Sequence, residues 1–220
     1  MPVLGSPLHL DMLRSSGTRS SWVVRLARAV KYAFHSQGVY GLEWGDPEIV
    51  EPLRFVRDRY VLPYVNPAHA AVEIGPGGGR WTRYLLGFGK LYAVDYHAEL
   101  LRELSKNFHP PNLHFIKNNG TDFPGIAAQS IDYVFSFGCF VHLDTRLIEE
   151  YLQSLKGIVK SASNVVIHYS DKSKVMAQLN HSFSDNTPQK MRQIVLLAGF
   201  RIVEEDLTTM WHSSIIRFTR

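Results

Sequence analysis

The sequence predicts an α/β fold: a seven-stranded, mostly parallel sheet with helices on both faces and an antiparallel pair of strands at one edge. From residue 68 onward, short apolar strands alternate with amphipathic helical segments, as in a parallel sheet covered on both sides. The last two strands follow each other without a helix between them, which predicts the antiparallel pair. A glycine-rich turn follows the first strand, where open sheets of this kind bind ligands.

Composition limits the class of protein. The chain has 220 residues, of which 45% are hydrophobic and 20% are charged, as in a globular protein. Its net charge of +4 is too small to predict a nucleic-acid partner. The single cysteine, Cys139, excludes an intrachain disulfide and fits a reducing compartment. Since no signal peptide or membrane span is recognisable, we expect a cytoplasmic protein.

The predicted organisation is a helical N-terminal extension, residues 1–67, followed by the main domain, residues 68–220. A basic amphipathic helix is predicted from 21 to 34. A second helix is predicted from Pro47 to about Leu62, with Asp46 as its N-cap. In the main domain the predicted strands lie at residues 70–74, 90–94, 112–118, 131–137, 164–170, 200–207 and 213–220. The predicted helices between them lie at residues 80–86, 98–108, 145–159 and 187–199.

The turn "EIGPGGGR", from Glu73 to Arg80, suggests its ligand by what it lacks. A triphosphate loop needs a Gly-Lys-Ser/Thr sequence, and none follows here. A dinucleotide turn needs a third glycine five positions after Gly75, where Arg80 stands instead. What remains is a G-x-G-x-G turn with a carboxylate two residues ahead of it, which suits a ligand carrying an ammonium group.

This segment resembles the first motif of class I S-adenosylmethionine-dependent methyltransferases, and the similarity continues along residues 68–220. The resemblance implies a Rossmann-like fold and S-adenosylmethionine as cofactor. In that family an acid such as Asp95 binds the ribose hydroxyls, a side chain at the position of Tyr96 flanks the adenine, and the loop at Asn119 and Gly120 meets the adenine edge. The residues that the resemblance assigns to the cofactor are Glu73, Gly75, Pro76, Gly77, Gly79, Asp95, Tyr96, Asn119, Gly120 and Ser136.

Two histidines are candidates for the chemistry at the methyl acceptor. Methyl transfer to a hydroxyl requires removal of its proton, and a histidine suits that task near neutral pH. His142 follows the fourth strand and His168 ends the fifth, both at the predicted carboxyl edge. We expect His142 to act as general base and His168 to assist it or contact the substrate. The alternative is that His142 only begins a helix whose N-cap is Asp144.

A metal site is a further hypothesis. Asp144 and Asp171 lie two and three residues after these histidines, so they could bring oxygen ligands to a Mg²⁺ ion that chelates vicinal sugar hydroxyls. Tyr40 and Trp44 in the N-terminal extension, together with Phe183 after the fifth strand, are candidates for a lid and for stacking on a sugar ring.

The acceptor class is narrowed by the residues after the fourth strand. The Asp/Asn-Pro-Pro-Tyr/Phe sequence of enzymes that methylate amino groups on bases is missing there, since the chain has Ser136-Phe137-Gly138-Cys139. The stretches "GLEWGDPE" and "SFGCFVHLD" resemble bacterial sugar and polysaccharide O-methyltransferases, including those of mycobacterial methylmannose polysaccharide synthesis. A small-molecule or oligosaccharide acceptor is therefore expected, with no nucleic acid and a possible homodimer. The alternatives are a methyltransferase acting on protein or RNA, and a non-catalytic cofactor-binding protein at a membrane surface.

Overall fold

A single seven-stranded sheet organises the computed structural model, which describes residues 45–220. Its strand order is β3-β2-β1-β4-β5-β7-β6. Strands β1 to β5 pair in parallel, while β7 pairs antiparallel with both β5 and β6. The strands are β1 Ala70–Ile74, β2 Lys90–Asp95, β3 Leu113–Lys117, β4 Ile131–Ser136, β5 Val159–Ser170, β6 Arg201–Asp206 and β7 Ser213–Thr219. The predicted Rossmann-like α/β class, with its antiparallel edge pair, is confirmed.

The direction of β7 matters for the site. Because β7 runs opposite to β5, its first residue, Ser213, pairs with the last residue of β5, Ser170. The turn that precedes β7 therefore lies at the edge where the parallel strands end. That edge is where open α/β sheets bind their ligands.

Helices cover both faces of the sheet. They are α1 Glu51–Val56, α2 Thr82–Leu85, α3 Ala98–Asn107, α4 Thr145–Ile158, α5 Val175–Gln178 and α6 Pro188–Leu197. One apolar core lies under α4 and α6 and includes Ile148 and Ile194. The other lies on the opposite face, where α1, α2 and α3 contribute Val56, Leu85 and Leu104. Both layers hold the strands of the sheet in place and so fix the geometry of its carboxyl edge.

The helix predicted from Pro47 to Leu62 differs from the observed one. Residues 47–49 form a turn capped by Asp46, whose Oδ1 accepts a hydrogen bond from the Glu48 N–H at 2.9 Å. The helix proper begins at Glu51 because Pro52 fits only a first turn; inside a longer helix its ring would clash with the carbonyl of residue 48. The chain then continues through a π-helical turn, Arg57–Val61, and a 3₁₀ turn, Leu62–Tyr64.

Two other differences concern short helices. The helix predicted at residues 80–86 is only Thr82–Leu85, because the glycine turn extends further into it than expected. The short helix α5 was not predicted. The basic helix predicted at residues 21–34 lies outside the described residues, and the domain boundary at residue 67 stays a prediction. Across residues 45–220, no helix is both long and apolar enough to cross a membrane.

Candidate functional site

The glycine turn after β1 has the backbone geometry that the sequence predicts. Gly75, Gly77 and Gly79 all have positive φ, at 70°, 56° and 96°. A Cβ on Gly75 would lie 2.6 Å from Cβ of Cys139, and one on Gly79 would lie 2.7 Å from Cδ1 of Leu104. Only glycine adopts a positive φ without strain and also has no Cβ to clash with these neighbours. Pro76 closes the turn through its carbonyl, which accepts a hydrogen bond from the Gly79 N–H at 3.0 Å.

Glu73 is a buried carboxyl group directly behind this turn. Its side chain is only 2% exposed, and its Oε2 accepts a hydrogen bond from Oγ1 of Thr82 at 2.6 Å. Burial raises the pKa of Glu73 to about 8, and the negative charge of Asp95 adds to the shift. A cationic ligand arriving at the turn would favour the ionised form of this carboxyl.

Asp95 ends β2 at the same edge of the sheet. It is buried, and its Oδ1 accepts a hydrogen bond from the His97 N–H at 2.8 Å. Burial raises its pKa to about 6. The ring of Tyr96 follows it, half exposed, with the Lys117 ammonium 5.1 Å from its centroid. Gly120 lies across from Tyr96, since a Cβ built on Gly120 would be 3.8 Å from Cδ2 of the tyrosine. Tyr96 and Gly120 thus lie close together beside Asp95, as the resemblance implies.

The loop after β3 gives Asn119 a different task from the expected one. Oδ1 of Asn119 already accepts hydrogen bonds from the N–H groups of Thr121 and Asp122, at 3.0 and 3.1 Å. Both lone pairs of that oxygen are therefore used inside the turn, which argues against the predicted contact with an adenine amino group. Asn118, which the sequence analysis missed, is buried and holds the loop. Its Oδ1 accepts from the Gly120 N–H at 3.2 Å.

Ser136, the last residue of β4, also faces the protein rather than a ligand. Its hydroxyl is buried and donates to the carbonyl of Ile74 at 2.9 Å. This bond ties the end of β4 to the end of β1, immediately before the glycine turn. The assignment of Ser136 to cofactor binding is therefore replaced by a role in holding that turn in place.

His142 lies in a 3₁₀ turn, Phe140–His142, just beyond β4. Its Nδ1 is 2.9 Å from the carbonyl oxygen of Ser182. Because a carbonyl oxygen can only accept, Nδ1 carries the hydrogen in the neutral ring, and Nε2 is the nitrogen that can take up a proton. Phe183 packs edge-on against the imidazole, with ring centroids 5.8 Å apart. The structure thus brings together two of the residues predicted from distant parts of the sequence.

The hydrogen bonds of His168 argue against its expected role of assisting His142 or contacting the substrate. It is 3% exposed and stacks on Phe137, with ring centroids 3.9 Å apart. Its Nδ1 accepts from the Gly138 N–H at 3.1 Å, so its Nε2 carries the hydrogen and donates to Oγ of Ser213 at 2.5 Å. Both nitrogens are occupied, and burial lowers the pKa of His168 well below its usual value. We therefore assign His168 to holding the loop after β4.

The two predicted metal ligands have structural roles. Asp144 is the N-cap of α4, and its Oδ1 accepts from the Leu147 N–H at 2.9 Å. Asp171 accepts hydrogen bonds from the hydroxyls of Ser173 and Ser214, at 2.5 and 2.6 Å. Among residues 45–220, no group of three or more histidine, cysteine, aspartate or glutamate side chains could hold a metal ion. The Mg²⁺ hypothesis is not supported.

Two residues at this edge were missed by the sequence analysis. Arg80, directly after the glycines, is buried with its guanidinium 5.5 Å from the ring centroid of Phe137. His212, in the turn before β7, has its ring 5.2 Å from that of Phe183. Arg80 was used only as evidence against a dinucleotide turn. His212 carried no local signal, because only the antiparallel pairing of β7 brings it to the carboxyl edge. Tyr40 and Trp44, the other predicted lid residues, lie outside the described residues.

Comparison with known proteins agrees with this geometry. Residues 71–162 match a family model described as a methyltransferase domain. This part of the chain is therefore similar to methyltransferase domains. Such domains imply S-adenosylmethionine as methyl donor, and the residues around the glycine turn fit that ligand: three glycines have positive φ, a buried acid ends β2 and a half-exposed aromatic ring lies beside it.

Solved structures show the same fold at low sequence identity. A methyltransferase from Archaeoglobus fulgidus described as dependent on S-adenosylmethionine has a TM-score of 0.65 at 14% identity, covering 86% of this chain and 99% of that one. One from Mesorhizobium loti has a TM-score of 0.65 at 10% identity, with 79% and 100% covered. The CcbJ methyltransferase from Streptomyces caelestis has a TM-score of 0.64 at 13% identity, with 80% and 99% covered. No curated protein matches the sequence.

Proposed function

We propose that the protein transfers a methyl group from S-adenosylmethionine to a hydroxyl of a sugar, an oligosaccharide or a glycosylated metabolite, with His142 as general base. The observation that carries this proposal is the hydrogen bond from Nδ1 of His142 to the Ser182 carbonyl, 2.9 Å long. This bond orients the ring and fixes the tautomer with the hydrogen on Nδ1, so that Nε2 is the basic nitrogen, as proton removal from a hydroxyl requires.

The donor supplies an electrophilic methyl group on a sulfonium. The residues of the chain hold it by three means: the glycine turn admits it close to the backbone, Asp95 offers a carboxylate to its ribose hydroxyls, and the buried carboxyl of Glu73 behind the turn ionises in response to the positive charge of the ligand. Two hydroxyl donors suit one carboxylate well. The half-exposed ring of Tyr96 offers an apolar face for the adenine.

The acceptor end is held rigidly around His142. The segment that carries Ser182 and Phe183 is bonded back to the segment after β4, since the Ser184 N–H donates to the Val141 carbonyl at 2.9 Å. Asn186 adds a bond from its Nδ2 to the Leu143 carbonyl at 2.9 Å. A base fixed in this way can align an acceptor oxygen for in-line displacement.

A sugar hydroxyl fits the chemistry of these side chains better than an amine. An amine acceptor is commonly held by a Pro-Pro-aromatic segment after the fourth strand, and Ser136-Phe137-Gly138-Cys139 occupies that place here. The carboxyl edge of the sheet instead offers the partly buried ring of Phe183 beside His142, an arrangement that suits the apolar face of a sugar next to the hydroxyl that reacts.

Label transfer tests this proposal. The protein is incubated with S-adenosylmethionine labelled in its methyl group and with fractionated sugars and glycans, with and without Mg²⁺. We expect acid- and base-stable label in a glycan fraction, independent of Mg²⁺. Label in RNA or protein fractions in place of glycans would contradict the proposed acceptor, and S-adenosylmethionine binding without any transfer would contradict the enzymatic role.

A further inference from the structure

His212 is a partly buried residue with one buried ring nitrogen, Nδ1, to which the described fold gives no partner. Its Nδ1 is shielded from solvent and makes no hydrogen bond within the described structure. A buried nitrogen without a partner costs on the order of 1–3 kcal/mol, so such groups call for an explanation. His212 is not a core packing residue, because it lies in the turn that leads into β7 at the carboxyl edge of the sheet.

Its neighbours place it at the acceptor end of the site. The rings of His212 and His142 both contact Phe183 edge-on, with centroid distances of 5.2 and 5.8 Å. His212 also contacts the ring of His168, 6.3 Å away. The backbone fixes this position, since the Asp171 N–H donates to the His212 carbonyl at 3.3 Å. Two imidazoles thus flank one phenyl ring. Within residues 45–220, a hydrogen bond orients the ring of His142, whereas Nδ1 of His212 has no hydrogen-bond partner.

The protonation state of His212 fits contact with a hydroxyl. Burial lowers its pKa, and the nearby ammonium of Lys174 lowers it further, so the ring is neutral near pH 7. A neutral imidazole offers one N–H and one lone pair. Since a sugar hydroxyl both donates and accepts, it can pair with Nδ1 in either tautomer.

On the basis of the proposed function, we infer that the ring of His212 turns when the acceptor binds, so that its Nδ1 binds a second hydroxyl of the acceptor, beside the one that His142 deprotonates. Phe183 separates the two imidazoles and lies against the carbon skeleton between the two hydroxyls. The site then selects acceptors with at least two hydroxyls on one ring, and His212 determines this specificity without taking part in the displacement.

A cycle that combines enzyme variants with substrate variants tests this inference. Methyl glycosides of glucose, mannose and galactose serve as acceptors, and NMR of the product identifies the methylated position. The same glycoside is then assayed with each of its other hydroxyls removed in turn. For one hydroxyl we expect its removal to lower kcat/KM at least tenfold with the unmodified protein, because a site built to bind a hydroxyl is left unpaired without it.

The His212→Phe variant should lose this discrimination, so that removal of the same hydroxyl changes kcat/KM less than about twofold. His212→Asn, whose amide can place a polar atom near the position of Nδ1, should restore part of it. His114→Phe, on the exposed face of β3, is the matched control and should discriminate like the unmodified protein. A residue with a purely structural role would lower kcat/KM for all acceptors alike.

A measurement on the unmodified protein covers the case in which His212→Phe fails to fold. In ¹⁵N-histidine NMR, the Nδ1 resonance of His212 should shift when the glycoside that serves as acceptor is added. It should not shift when the form of that glycoside without the second hydroxyl is added. The inference would be overturned if removal of the hydroxyl lowered kcat/KM equally in the unmodified protein and in His212→Phe, or if the Nδ1 resonance did not shift. Either result would leave the proposed function standing. If neither these glycosides nor the fractionated sugars and glycans accept the methyl group, the proposed function fails, and the role of His212 fails with it.

Discussion

The carboxyl edge of the sheet has two parts that are built in different ways: the donor half, which is proposed to bind S-adenosylmethionine, and the acceptor half, which is proposed to bind the methyl acceptor. The donor half, the turn after β1 with the end of β2, comes from one contiguous stretch of the chain and uses backbone shape and buried carboxyls. The acceptor half brings His142, Phe183 and His212 together from three loops, and it uses aromatic rings in mutual contact, with the His142 ring held by a hydrogen bond to the Ser182 carbonyl. The comparison teaches that the donor is determined by local sequence, whereas the acceptor is determined by how distant loops meet.

The largest effect is expected on turnover, when a residue of the acceptor half is replaced and the donor half is left unchanged. His142→Ala should lower turnover roughly 100- to 10,000-fold, because the base that removes the acceptor proton is lost. The dissociation constant of S-adenosylmethionine should stay within about twofold, since His142 is not part of the donor half. Steady-state rates and titration calorimetry measure the two quantities, and added imidazole should restore part of the rate. Undiminished turnover would refute the assignment of the base.

The donor half should instead respond to pH through Asp95. The pKa of Asp95 is raised to about 6 by burial, so the carboxyl is protonated below that pH in the free protein. A ligand that donates hydroxyls to the carboxylate binds the ionised form, so affinity for S-adenosylmethionine should fall about tenfold per pH unit below about 6. Asp95→Asn should bind weakly and lose this pH dependence. If both proteins gave the same pH profile, Asp95 would not be the ribose contact.

Backbone shape in the donor half can be tested by adding a single methyl group. Gly79→Ala should lower the free energy of unfolding by roughly 2–4 kcal/mol, because it combines a positive φ with crowding against Leu104 and Phe108. Gly157→Ala is the control, since its Cβ would meet nothing within 4 Å and its helix favours alanine by up to about 1 kcal/mol. Urea denaturation measures both. A similar loss in both variants would contradict the steric argument.

A further effect, on the pH dependence of stability, is expected from Glu73, whose carboxyl has a pKa of about 8. A raised carboxyl pKa means that the folded protein binds this proton more tightly than the unfolded chain. The ligand-free protein therefore loses stability as pH rises from about 4.5 to about 8, by at most about 1.4 kcal/mol per unit. Glu73→Gln cannot lose a proton at this position and should show a shallower decline between pH 6 and pH 8. Thermal unfolding across that range compares the two proteins, and identical slopes would contradict the buried position of the carboxyl.

The same contrast explains how far sequence reasoning reached. The mostly parallel sheet, the antiparallel edge pair and the glycine turn were predictable, because each depends on local periodicity or on residues such as Gly75 and Gly79. Asn119 and Ser136 were assigned to the cofactor by position, while their actual hydrogen bonds depend on which loop atoms lie within reach. His168 was expected to assist His142 or contact the substrate because the sequence does not show that Gly138 and Ser213 occupy its two nitrogens. His212 was out of reach, since only the reversal of β7 brings it to the site.

Equilibrium binding of three ligands to the unmodified protein tests the central claim most directly. S-adenosylmethionine, NAD and ATP are each titrated into the protein by calorimetry, because the three differ in the features that the turn at Glu73 to Gly79 selects. We predict saturable one-to-one binding of S-adenosylmethionine that S-adenosylhomocysteine displaces, and no comparable binding of NAD or ATP. Binding of NAD or ATP with equal or greater affinity, or no binding of S-adenosylmethionine, would contradict the account.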